Sequence, residues 1–182
     1  MLLSTHVATA IAVTYIFDYW MASNYPHYAG NLIARVLVYA TAVALQYLLD
    51  GVGHTWVKVG SKSVPRRNAL HSLPAVLLMG AVAGSAYYAI LRLPELVPLY
   101  ASVMLAHWLE DLVTEGGVYL FSRRVRLPGA FRVRYDSPVA NRAAVALSLA
   151  LAYALADPLS SPSAVAFFGL VAASSALAFL KA

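Results

Sequence analysis

The stretch Leu96-Val97-Pro98-Leu99-Tyr100-Ala101-Ser102-Val103-Met104-Leu105-Ala106-His107-Trp108-Leu109-Glu110-Asp111-Leu112-Val113-Thr114-Glu115-Gly116 decides the fold class. It is long enough to cross about 30 Å of hydrocarbon, which takes roughly 20 mostly apolar residues on a helix. It also carries His107 and Asp111, whose spacing of four returns both side chains to one helix face, with Thr114 continuing the stripe. Similar runs lie at 2–22, 31–50, 71–91, 140–157 and 162–181, separated by Ser/Asn/Pro, Gly/Lys/Arg and Asp-Pro breaks. The whole chain of 182 residues is 61% hydrophobic and only 12% charged. Soluble domains are about half apolar and about a quarter charged, so too few polar groups remain to wet a globular surface. This excludes disorder, a secreted disulfide scaffold and a free-standing nucleic-acid binder, and no nucleic-acid partner is expected. The sequence therefore predicts an all-α polytopic membrane bundle of six transmembrane helices forming one domain, 1–182. A metal-site core would occupy 1–135, and two additional helices 139–182.

Positive charge sets the orientation. Lys58, Lys62, Arg66 and Arg67 fill the second connection, and Arg123, Arg124, Arg126, Arg132 and Arg134 fill the fourth. Under the positive-inside rule both connections and both termini face the cytoplasm. The first apolar run has no basic n-region or small-residue cleavage site and reads as a retained helix. Arg35 and Arg92 fall near the outer face, where their long side chains can snorkel to the interface. Polar and apolar residues alternate from Arg124 to Tyr135 around Pro128-Gly129, which predicts a short cytoplasmic β-hairpin. That basic segment would meet anionic lipid headgroups or form a lip over an anionic substrate.

Ionisable groups within spans are expensive and mark functional sites. The topology places His6, Asp50, His54, His71 and Asp111 at or just inside the cytoplasmic boundary, with His107 slightly deeper. Counted from Glu95, His107 lies about 18 Å and Asp111 about 24 Å along the helix. With no cysteine in the chain, such a set can ligate a divalent metal only through nitrogen and oxygen, which suits zinc, with manganese or iron as alternatives. Thr5, Asn68, Ser72 and Thr114 stand beside these residues as partners that orient them. A water held by the ion would be the nucleophile, with Asp50 or Glu110 as base and Arg66, Arg67, Arg132 and Arg134 neutralising an anionic substrate. Asp18 and His27 fall on the opposite side. Each polar residue also has a structural reading, since a buried His-Asp pair can clamp helices by hydrogen bonding. The second functional class is therefore a non-enzymatic membrane protein, either a metal-ion carrier or a structural subunit.

Four blocks of the sequence resemble a family of inner-membrane metal-dependent hydrolases whose bacterial members include the LexA-regulated YdjM-like proteins. They are Thr5-His6, Asp50 through Gly53-His54, Arg67-Asn68-Ala69-Leu70-His71-Ser72, and His107 through Gly117 in the form H-x-x-x-D-x-x-T-x-x-G. Leu70 stands where that family has Thr, and a single Asp50 precedes His54, which is similar to archaeal relatives. The resemblance implies a membrane-bound metal-dependent hydrolase, and the depth of the site at the headgroup level together with the basic connections points to an anionic, lipid-like substrate, a phosphoester of a membrane lipid.

Overall fold

A computed structural model describes residues 1–60 and 62–155. The chain is mostly helical with two small antiparallel sheets. Helix α1 (Leu3–Asn24) stops before Pro26, where Tyr25 is extended, as a residue preceding proline prefers. One turn, α2 (Pro26–Ala29), leads to Asn31, whose side chain accepts from Ala34 N at 3.0 Å and caps α3 (Leu32–Val52). Strands β1 (His54–Val59) and β2 (Lys62–Arg67) then form a hairpin with His54 opposite Arg67. A 3-10 turn, Ala69–His71, opens into α4 (Leu73–Leu91). Helix α5 (Leu96–Leu112), the hairpin of β3 (Val118–Leu120) and β4 (Arg123–Val125), a 3-10 turn at Gly129–Phe131 and α6 (Pro138–Leu155) complete the described chain.

The core is built by α5 lying among α1, α3 and α4. Leu96, Leu99, Tyr100, Val103 and Met104 of α5 pack against Val38, Ala42, Leu45 and Leu49 of α3, Val76 of α4, and Ala10 and Met21 of α1. Helices α4 and α5 touch at backbone distance. A Cβ at Gly80 would meet Tyr100 O at 2.5 Å, and one at Gly84 would meet Leu96 O at the same distance, so the spacing of four puts a glycine at both contacts. Helix α6 packs on α1 through Ala12 and Ala152, while Asn141 Oδ1 accepts from Thr5 Oγ1 at 2.6 Å.

Two helices, Leu32–Val52 and Leu73–Leu91, are long and apolar enough to cross a membrane, with mean hydropathy of 1.8 and 1.6. Two of the other expected spans fall short of that for visible reasons. Helix α1 carries a buried polar face of Thr5, His6, Thr9, Thr14 and Asp18, and α5 ends after 17 residues at Leu112 instead of running to 116. The span expected at 162–181 lies outside the described residues.

Two local expectations are corrected. The hairpin around Pro128-Gly129 does not form. Its Arg124 end pairs with β3 instead, across Phe121 at φ 54°, and Val133 forms a parallel bridge with Thr114. Gly117, at φ 62°, turns the chain out of the α5 end and delivers β3 to that pairing, so the alternating Arg124–Arg126 segment already has a partner before Pro128 is reached. Arg35 does not snorkel alone. Its guanidinium grips buried Asp18 through Nε at 3.0 Å and Nη2 at 2.6 Å, and Tyr28 OH donates to the same carboxylate at 2.7 Å.

Candidate metal centre

At the opposite end of the bundle from Asp18, four histidines and two aspartates converge. His6 comes from α1, Asp50 from the end of α3, His54 from the first residue of β1, His71 from the 3-10 turn, and His107 and Asp111 from α5. His6, His71, His107 and Asp111 are buried, while Asp50 and His54 are half-buried on the open side. The rings lie against one another. His6 stacks on His107 at 3.7 Å between centroids, and His71 sits 4.6 Å from His54 and 5.6 Å from His107.

Each histidine places Nδ1 on an acceptor. His6 Nδ1 donates to Glu110 Oε2 at 2.6 Å, His54 Nδ1 to the Asp50 carbonyl at 2.9 Å, His71 Nδ1 to the Gly53 carbonyl at 2.9 Å and His107 Nδ1 to Gln46 Oε1 at 2.7 Å. Gln46 Nε2 donates back to Ala42 O at 3.5 Å, which orients the amide with its oxygen toward His107. Acceptors on all four Nδ1 atoms fix one tautomer and leave four Nε2 lone pairs, the arrangement used to prepare imidazoles as metal ligands. Gly53 is required for this, because a side chain there would collide with the His71 ring.

The freed atoms meet. His71 Nε2 lies 3.5 Å and His107 Nε2 3.6 Å from Asp111 Oδ2, His6 Nε2 lies 3.4 Å from Asp111 Oδ1, and His107 Nε2 lies 3.7 Å from Asp50 Oδ1. His71 Nε2, His107 Nε2 and Asp111 Oδ2 are all buried without a hydrogen-bond partner. Leaving such atoms unpaired costs about 1–3 kcal/mol each, so three at one point call for a common partner. Ligands about 2.0–2.1 Å from a tetrahedral zinc sit about 3.3–3.4 Å apart, only slightly closer than these atoms. Two overlapping triads, His6/His107/Asp111 and Asp50/His71/His107, present ligand atoms within 4.8 Å of one another. The buried His/Asp groups can thus hold a metal ion. Burial pushes His71 down to about 3, so its imidazole is neutral and its Nε2 is available near neutral pH.

The remaining sequence-derived residues divide. Arg67 anchors the centre: Nη2 donates to Asp111 Oδ1 at 2.5 Å, and Nη1 to Thr114 Oγ1 at 3.0 Å and Gly117 O at 2.6 Å. Thr114 Oγ1 also donates to Asp111 O at 2.8 Å. Asn68 ties the approach to His71 by donating to Val52 O and accepting from Leu70 N. Ser72 is buried and its backbone bridges to Tyr119. Thr5 points to Asn141 and holds α1 to α6 instead of touching the ligands. Glu110 accepts from His6 and from Thr9 Oγ1, so it orients His6 and does not face the open side.

A cavity of about 230 Å³ opens beside the centre, lined by Asp50, His54, Arg66, Arg67, Arg124 and Tyr135 among others. Arg66 and Arg67 reach it. Arg132 and Arg134 do not line it: both are exposed, and Arg134 is paired with Asp136. Arg124 takes the position expected of them, because β4 pairs with β3 and turns back over the end of α5. Gln46, a buried amide on α3, is the other residue that sequence reasoning passed over. Comparison with models of protein families, with curated proteins and with solved structures yields no match.

Proposed function

We propose that the chain is a membrane-embedded, metal-dependent hydrolase, similar to the YdjM-like inner-membrane family, that acts on a phosphoester of a membrane lipid. The observation that carries this reading is the meeting of three buried, unpartnered ligand atoms, His71 Nε2, His107 Nε2 and Asp111 Oδ2, beside an arginine-lined cavity. A hydrogen-bond clamp between helices would pair those atoms with one another, whereas they stand 3.5 and 3.6 Å apart. His71, His107 and Asp111 would hold the ion, with zinc suited by two imidazole nitrogens and one carboxylate oxygen. When bound, the ion supplies Lewis acidity and acidifies a water to a pKa of about 7. Asp50, at the boundary between centre and cavity, is placed to take the proton, and His6 is held by Glu110. Arg66 neutralises the anionic group at the cavity, while Arg67 is held against Asp111.

Membrane embedding is supported by an apolar exterior. Ile33, Leu78, Val82, Ile90 and Leu147 are exposed on the helices, while His6, Gln46, His71, His107 and Asp111 are kept inside. On this reading six helices span the membrane, the sixth read from 162–181, and both termini and both basic hairpins face the cytoplasm. A carrier would need polar groups continuing to the far end, where Asp18 is instead committed to Arg35 and Tyr28.

Purified protein should hydrolyse phosphoesters in a chelator-sensitive manner that His107→Ala and Asp111→Asn abolish. Turnover that persists in chelator, or in both variants, would overturn the proposal. Single cysteines in 51–70 and 122–138 report orientation cleanly in a chain without cysteine, and labelling from the outer face would reverse it.

A further inference from the structure

We infer that the cavity beside the metal centre is a subsite for a phosphate monoester dianion, with Arg66 and Arg124 as its charge-bearing walls. This deepens the hydrolase reading and rests on it for the reaction, though not for the binding. Arg67 sets its charge against Asp111 at 2.5 Å, and neither Arg66 nor Arg124 has a carboxylate partner among the described residues. Arg124 is held instead by the neutral Gly116 carbonyl, which accepts from Nε at 2.9 Å and Nη2 at 2.5 Å. A backbone carbonyl fixes the guanidinium without cancelling its charge. Arg67 Nε is a further buried donor with no partner. Arg66, Arg67 and Arg124 against Asp50 and Asp111 therefore leave the side chains lining the cavity with an excess of positive charge, and a metal ion would add to it.

A phosphate monoester carries about −1.5 to −2 at neutral pH and presents three acceptor oxygens, which matches two guanidinium groups that have no carboxylate partner. A diester brings only one charge. At about 230 Å³ the space is smaller than the roughly 300–1,000 Å³ of pockets that enclose whole small molecules, so it suits a headgroup-sized phosphoryl end. The strained field is visible in Arg124 itself, whose pKa is lowered by partial burial and then by Arg126, Arg66 and Arg67. The same chemistry is offered by a lipid phosphomonoester and by a soluble one.

The test is calorimetric titration of inorganic phosphate into the purified full chain in detergent, with metal content measured on the same samples. Phosphate should bind with and without the ion, and Arg66→Gln and Arg124→Ala should each weaken it by about tenfold or more at unchanged metal content, while Arg132→Ala leaves it unaltered. Dimethyl phosphate should bind at least about tenfold more weakly. Competition by phosphatidic acid in mixed micelles and by glycerol 3-phosphate then assigns the source: tighter displacement by the lipid supports a bilayer substrate, and equal displacement a soluble one. Absent phosphate binding, binding indifferent to Arg66 and Arg124, or equal affinity for the diester overturns the subsite. Protein that binds phosphate through these arginines but takes up no metal overturns the hydrolase reading and leaves the subsite standing.

Discussion

His107 Nε2 faces Asp111 Oδ2 at 3.6 Å while its Nδ1 is bonded to Gln46 Oε1 at 2.7 Å. One ring nitrogen is thus fully satisfied and the other is buried without a hydrogen bond. This asymmetry is what a metal-ligating histidine requires, because burying an unpaired nitrogen beside a carboxylate gains nothing unless something sits between them.

Gln46 should control the affinity of the centre without belonging to it. Gln46→Leu removes the acceptor that fixes the His107 tautomer, and metal affinity should fall by about 10–100-fold in a chelator competition assay. Gln46→Glu retains an acceptor oxygen and should recover most of the loss. Equal affinities in wild type and Gln46→Leu would show that the amide does not set the tautomer.

The glycine contacts between α4 and α5 are a separate matter of packing. Gly84→Val would drive a side chain into the Leu96 backbone and should cost about 1–3 kcal/mol or more, seen as an earlier thermal transition in detergent. The folded fraction should keep its metal stoichiometry, because the contact lies a long way up α5 from His107.

Acid should destabilise the metal-free protein through His71. Its folded-state value of about 3 lies below the ordinary 6.5, so the unfolded chain binds a proton that the folded chain refuses. This contribution is fully present above about 6.5, is lost progressively as pH falls toward about 3, and levels off below that. His71→Asn should flatten the pH dependence of unfolding across this window, and an unchanged slope would contradict the assignment.

The candidate site was legible because an apolar chain has few places to keep ionisable groups. His6, Asp50, His54, His71, His107 and Asp111 stood out as costly within or beside apolar runs, and the orientation derived from the basic connections put them at one depth. The structure brings those six together. Spans 31–50 and 71–91 were read within a few residues of α3 and α4, since long apolar runs bounded by Gly, Arg and Pro leave little choice. Pairing was harder to read. Alternation from Arg124 to Arg134 is compatible with more than one strand partner, and the choice of β3 depended on the turns at Gly117 and Phe121. That choice exchanged Arg124 for Arg132 and Arg134 at the cavity. Gln46 was missed because an uncharged amide does not register in a charge count, although a buried amide in an apolar helix needs a partner as surely as a carboxylate does. The helix-packing glycines carried a signal in the spacing Gly80-x-x-x-Gly84, which composition alone conceals.

X-ray absorption spectroscopy of zinc-loaded protein tests the central claim most directly. The account predicts nitrogen and oxygen ligands at about 2.0–2.1 Å with outer-shell imidazole scattering from His71 and His107, reduced in His107→Ala and with the ion lost or displaced in Asp111→Asn. Protein that takes up no transition metal, or a spectrum unchanged in both variants, would contradict it.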